Sequence, residues 1–216
     1  MNKSLKIVFL DRDGVINRFP GDGKYVTRVK DFHFLPGALR AIRILSEHGY
    51  RLFVVSNQAG VGKGVYTSSK LNQINRHMLR KIKSNKGKIS KVFYCTHPSN
   101  AGCECRKPEI GSIRSALRLL KKNMRHARNA YFIGDTRSDI EAGYRGGCKT
   151  IFVLSGRETR RHIARWQIKP DYIVKDILEA AKVIAHEKSY YPYRNGESSA
   201  SAFLAHKNPS RKSSNN

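Results

Sequence analysis

A chain of 216 residues is long enough to bury one full hydrophobic core and too short for two of ordinary size, so a single domain is expected, and as a monomer. Its longest apolar runs, such as IVFL (7–10), fall far short of the roughly 20 residues a membrane-spanning helix needs, and no secretory leader pattern precedes the first strand candidate; a cytoplasmic protein without a membrane partner is expected. The net charge of +26, from 42 basic against 16 acidic residues, suits anionic partners from sugar phosphates to nucleic acid, although basic stretches such as RHMLRKIKSNKGK (76–88) also read as solvated helix faces.

In chain order, short β-branched runs alternate with helical spacing. A strand is predicted at 5–10 (LKIVFL), then a helix that Pro36 can open and Gly49 ends. A strand at 51–56 (RLFVVS) precedes a helix over 67–83, and a strand at 91–95 (KVFYC) precedes one over 111–123. Further strands are predicted at 130–134 (AYFIG), 150–154 (TIFVL) and 171–174 (DYIV). Such alternation indicates an α/β fold, a Rossmann-like parallel sheet with helices on both faces. From Ser189 the periodicity gives way to Ser, Asn, Pro and basic residues, so 1–188 is expected to be the domain and 189–216 a disordered basic tail.

Ligands of such sheets sit beyond the carboxyl ends of the strands, which directs attention to the residues that follow each one. After the first strand, Asp11 and Asp13 stand one residue apart and Gly14 frees the backbone to turn, so two carboxylates can converge for nucleophilic and acid–base work; an ordinary turn is the plain alternative. After the second, Ser56 and Asn57 can offer a hydroxyl and main-chain N–H groups to phosphate oxygens. The GVGKG that follows lacks the first glycine of a nucleotide-binding loop, since Asn57 stands there, and reads as a loop over the site or a surface turn. After the fourth, Asp135 and Asp139 complete four carboxylates at one sheet edge, a cluster that needs a hard cation such as Mg2+; Asp139 also suits the first turn of a helix.

The loop CTHPSNAGCECRKP (95–108) collects Cys95, His97, Cys103 and Cys105 in a C-x-H-x5-C-x-C order. Four such ligands make a closed tetrahedral zinc site, structural instead of catalytic. Zinc there would pin a loop that carries Arg106 and Lys107, and Lys107 can neutralise phosphate oxygens and the carboxylates. Cys148, the remaining cysteine, reads as a buried, inert thiol.

Taken together, D-x-D-G, Ser56 after a strand, Lys107 and G-D-x-x-x-D resemble the phosphatase branch of the haloacid dehalogenase superfamily over about residues 5 to 186. The zinc loop before CRKP is similar to the capless group that holds heptose 1,7-bisphosphate phosphatases and histidinol-phosphate phosphatases. FLDRDGVIN, VVSNQAGVGKG and DYIVKDILEA look closer to the heptose enzymes, while the five residues between His97 and Cys103 look like the histidinol group. The resemblance implies that Asp11 is a nucleophile forming an aspartyl phosphate and that Asp13 is the acid and base. It implies Mg2+ on Asp11, the Asp13 carbonyl and Asp135 with Asp139 supporting, and Ser56 and Lys107 on the phosphoryl group. It also implies substrate contacts from Asn57, Arg106 and the loop residues Asp22, Gly23, Lys24 and Tyr25. Removal of the C7 phosphate of a heptose bisphosphate, for nucleotide-heptose and surface-glycan synthesis, is the function it implies. Histidinol phosphate is the alternative substrate, and nucleic-acid end processing the alternative of a different class.

Overall fold

The computed structural model describes residues 5–186, and the expected tail from 189 lies outside them. Six parallel strands form one sheet: β1 (Ile7–Leu10), β2 (Arg51–Asn57), β3 (Ile89–Cys95), β4 (Ala130–Gly134), β5 (Lys149–Val153) and β6 (Tyr172–Val174), in the order β3-β2-β1-β4-β5-β6. The helices between them are α1 (Ala38–Glu47), α2 (Ala59–Gly62), α3 (Ser68–Ser84), α4 (Gly111–Leu119), α5 (Arg137–Arg145), α6 (Arg160–Ala164) and α7 (Ile177–His186), with short 3-10 turns at Val29–Asp31 and Met124–Asn129. No helix among the described residues is long and apolar enough to cross a membrane.

Why the sheet is doubly covered is written in β1. All four of its residues are buried, and because successive side chains point to opposite faces, Val8 and Leu10 pack with α1, α3 and α7 while Ile7 and Phe9 pack with α4. On the second face Phe9 stacks between Phe53 and Phe132, with ring centroids 5.7 and 5.9 Å apart, so the central strands are locked side by side under the site. Cys148 is buried in the same cluster.

Two expected boundaries shift for local reasons. Helix α1 starts after Pro36, because Gly37 sits at φ 79 and cannot be helical, so Ala38 is the first helical residue. Strand β3 begins at Ile89, before the expected Lys91, through a register irregularity against Leu52 and Phe53 in β2.

The strand order reverses between β1 and β4, where the chain leaves the first strand to one side and the fourth to the other. A crevice opens at the carboxyl ends there. Asp11 follows β1 and Asp135 follows β4, and the Asp11 main-chain N–H donates to the Ile133 carbonyl at 2.9 Å. The topology thus delivers both carboxylates to one place.

Candidate functional site

Asp11, Asp135 and Asp139 meet at this switch point, each offering an oxygen within 4.8 Å of the others'. All three are buried, so their mutual repulsion is little screened. Burial, then the nearby Asp139 and Asp13 acting against the pull of Lys107, raises the Asp11 carboxyl to about 6. Burial, then the Asp11 and Asp139 carboxylates, push Asp135 well above the usual carboxylate range, against the pull of the Arg157 main-chain N–H and of Lys107. One positive group stands among them. Lys107 Nζ lies 2.6 Å from Asp11 Oδ1 and 2.6 Å from Asp139 Oδ1 and donates to the Val55 carbonyl at 2.7 Å. Burial works against its charge, but the two carboxylates overcome that and raise its pKa.

The two further oxygens of the cluster have different fates. Asp139 Oδ2 accepts from the Thr136 N–H and hydroxyl at 3.0 and 2.7 Å, closing the capping box that starts α5. Asp139 is therefore spent on the helix start and on Lys107. Asp135 Oδ2 accepts the Arg157 N–H at 2.7 Å, but its Oδ1 is buried with no partner. A buried carboxylate oxygen left open beside Asp11 is the donor set that a hard, oxygen-seeking cation fits.

The approach of the chain to Asp135 requires two glycines. A Cβ on Gly14, at φ 85, would stand 2.2 Å from Asp135 Oδ2, and one on Gly156 would stand 2.0 Å from the same atom. Gly14 is thus where D-x-D-G needs its glycine. Gly156 lies just past β5 and carried no sequence motif.

Asp13 points elsewhere. Its carboxylate accepts from Arg12 Nη2 at 2.9 Å, from Asn17 Nδ2 at 2.8 Å and from Gln58 Nε2 at 2.8 Å, so three of the four expected carboxylates gather and the Asp13 side chain stays outside the group. Arg12 is fully buried, its charge upheld by Asp13 against the cost of burial. Ser56 is buried at the end of β2, where its Oγ accepts from Gln58 Nε2 at 3.1 Å. Asn57, expected to face the ligand, uses both ends of its side chain on the Lys107 main chain: Nδ2 donates to the carbonyl and Oδ1 accepts the N–H, each at 3.1 Å. It clamps the lysine.

On the other side of Lys107, the four zinc candidates do gather. Cys95 Sγ lies 3.5 Å from Cys103 Sγ and 3.7 Å from His97 Nδ1; Cys105 Sγ lies 3.2 Å from His97 Nδ1 and 3.6 Å from Cys103 Sγ. Tetrahedral ligands at zinc–sulfur distances of about 2.3 Å stand roughly 3.8 Å apart, so these separations fit that ion. Burial, then contact with Cys95 and Cys103, pushes the Cys105 thiol up to about 12. Cys95 pairs with Asn57 in the sheet register, which joins the cluster to the site. Arg106 follows directly, and its Nη1 is buried without a partner.

Of the loop expected to reach substrate, Asp22, Gly23 and Lys24 are exposed and Tyr25 is half-buried. Asp22 Oδ1 pairs with Arg157 Nε at 2.7 Å, which brings the loop over to the segment holding Asp135. Tyr25 packs against Tyr66, centroids 6.2 Å apart, and against Gly60. Sequence reasoning passed over Arg12, Gln58, Tyr66 and Gly156; all but Tyr66 had the one signal of a place just after a strand.

With this geometry in hand, kinship can be added. A family model described as HAD-hydrolase-like matches residues 104–180. Over 150 residues the chain is 37% identical to the D-glycero-alpha-D-manno-heptose-1,7-bisphosphate 7-phosphatase of Campylobacter jejuni, covering 69% of this chain and 83% of that protein. The chain belongs to the haloacid dehalogenase superfamily. It is a phosphatase of that superfamily, and is also 33% identical over 187 residues to the D-glycero-D-manno-heptose-1,7-bisphosphate 7-phosphatase of Chlorobaculum tepidum, covering 82% of this chain and 93% of that one. Among haloacid dehalogenase structures, the D,D-heptose 1,7-bisphosphate phosphatase from B. bronchiseptica, complexed with magnesium and phosphate, matches with a TM-score of 0.77 at 28% identity, over 85% of this chain and 99% of that one. Phosphatases of this superfamily generally use Mg2+.

Proposed function

We propose that this phosphatase removes the C7 phosphate of D-glycero-D-manno-heptose 1,7-bisphosphate through an aspartyl phosphate on Asp11, with Mg2+. The observation that carries the chemistry is the convergence of Asp11, Asp135 and Asp139 on one buried lysine, Lys107, at the strand switch point. The substrate is supported by the names of relatives at 37% and 33% identity.

In this reading Asp11 is the nucleophile. A phosphoryl oxygen arriving beside Ser56 competes with Asp11 Oδ1 for Lys107 Nζ, so the lysine passes its charge to the phosphoryl group as the carboxylate is freed to attack. The Asp11 oxygen bonds to phosphorus, the bond to O7 breaks, and O7 leaves with its electron pair and takes a proton from Asp13. Asp13 then accepts a proton from the water that attacks the aspartyl phosphate, which returns Asp11 and liberates phosphate. Asp11, Asp135 and the Asp13 carbonyl, with Asp139 supporting, would hold Mg2+, which would supply the positive charge that lets carboxylates and phosphate share the site.

Zinc on Cys95, His97, Cys103 and Cys105 holds the loop that ends in Lys107, and Asn57 fixes that lysine's main chain from the other side. Arg106, with its unpartnered Nη1, meets the second phosphate, and the loop of Asp22, Gly23, Lys24 and Tyr25 forms the rim. The reaction belongs in the cytoplasm, in the supply of nucleotide-activated heptose for surface glycans. The test is kcat/KM for heptose 1,7-bisphosphate of each anomer and for histidinol phosphate, with and without Mg2+. Preference for a heptose bisphosphate upholds the reading, and preference for histidinol phosphate, towards which the short zinc-loop spacing leans, replaces it.

A further inference from the structure

The turn after β2 holds a residue that no motif singles out. Gln58 is 1% exposed, and its side chain makes four hydrogen bonds, two of them to residues of the proposed chemistry. Nε2 donates to Asp13 Oδ2 at 2.8 Å and to Ser56 Oγ at 3.1 Å. Oε1 accepts from the Tyr66 hydroxyl at 2.6 Å and from Arg12 Nη2 at 3.1 Å. The orientation of the amide is not ambiguous, because a carboxylate only accepts and a guanidinium only donates. The main-chain N–H of Gln58 donates to the Cys95 carbonyl at 2.7 Å, which ties the same residue to the first of the zinc candidates.

We infer that Gln58, fixed by Tyr66 and Arg12, is a positioning residue that sets Asp13 and Ser56 relative to each other, so that Asp13 can act on water at the phosphoryl group that Ser56 holds. The inference rests on the assignment of Asp13 as acid and base. The Asp13 carboxylate is gripped by three side-chain donors, Arg12, Asn17 and Gln58, so its direction is set by these contacts. Arg12 and Asn17 bind Asp13 alone among the two, whereas Gln58 reaches both. Loss of its amide frees the carboxylate to swing about the remaining contacts while leaving the Asp11, Lys107 and Asp135 cluster untouched.

The two half-reactions separate this role from a structural one. With p-nitrophenyl phosphate the leaving group needs no proton, so transfer to Asp11 proceeds without Asp13, and hydrolysis of the aspartyl phosphate is the step that depends on it. Stopped-flow release of nitrophenolate by Gln58→Leu should show a burst near one equivalent per site at a burst rate lowered only a few-fold, through the lost contact to Ser56, then a steady rate lowered by roughly 30-fold or more, within the range of acid–base catalysis. Tyr66→Phe, which removes one hydroxyl and keeps the ring, should show the same pattern at smaller amplitude and stands in if Gln58→Leu does not fold. A burst rate that falls as far as the steady rate, or a steady rate equal to that of the unaltered protein in both variants, overturns the inference. Asp13→Asn run alongside must give the same pattern more strongly. If it does not, the assignment of Asp13 falls and takes the inference with it; if it does and the Gln58 and Tyr66 variants do not, only the inference falls.

Discussion

Replacing Gly156 by alanine is the sharpest way to move Asp135 without touching it. The added Cβ would stand 2.0 Å from Asp135 Oδ2 and 2.4 Å from both its Cβ and its Cγ, where ordinary contact begins at 3.4 Å. Either the carboxylate retreats by about 1.4 Å or the segment after β5 lifts, and in both cases the Arg157 N–H that holds Oδ2 is lost from its place. A displacement of about 1 Å at a reacting centre can cost about 100-fold in rate, equivalent to roughly 2.7 kcal/mol of transition-state stabilisation. The assay is phosphate release against Mg2+ concentration, giving kcat and the metal concentration at half activity. Both should suffer: kcat down by about 100-fold and half-activation moved to higher Mg2+. Gly49→Ala is the control, because Gly49 at φ 78 has open space around it. Forcing a side chain into that left-handed conformation costs about 1–2 kcal/mol of stability but should leave activity at each Mg2+ concentration unchanged. A Gly156→Ala protein with unaltered kcat and metal response would refute the placement of Asp135 at the metal.

Three other outcomes are expected. Asp11→Asn should remove turnover while the protein stays folded by circular dichroism, since the amide keeps the shape and cannot attack phosphorus; measurable turnover would remove Asp11 as nucleophile. Elemental analysis should find one zinc per chain, and Cys103→Ser should lower kcat by misplacing Lys107 more than it lowers thermal stability; purified protein without zinc would end the clamp argument. The third concerns pH. Asp11, raised by burial to about 6 from an unfolded value near 3.8, keeps a proton in the folded protein that the unfolded chain has already released. Stability without Mg2+ should therefore fall as pH rises from about 4 to 6 and level off above, and the increase in Tm on adding Mg2+ should be larger at pH 7.5 than at pH 5. Equal Mg2+ shifts at the two values would contradict the carboxylate site.

Much of the candidate site was legible because parallel sheets put ligand-binding residues just after their strands. Asp11 and Asp135 each follow a run of buried β-branched or aromatic residues, and the zinc candidates announce themselves by residue type and spacing alone. Asn57 was legible by position but not by role, since what its side chain meets is the Lys107 main chain 50 residues away. Arg12 and Gln58 also follow strands, but their roles were not legible. An arginine flanked by two aspartates reads as a surface residue, and its full burial depends on partners at Asp13, Gln58 and Tyr94 that only the folded chain assembles. The start of α1 was misplaced because proline is a common first helical residue, whereas the left-handed Gly37 decides the boundary here.

The most direct test follows both phosphorus atoms of heptose 1,7-bisphosphate by 31P NMR during turnover with Mg2+. Loss of the C7 signal with growth of inorganic phosphate, while the C1 signal persists, is the expected result, and it should vanish in Asp11→Asn. Loss of the C1 phosphate first, or no turnover by protein that carries both metals, would contradict the proposed function.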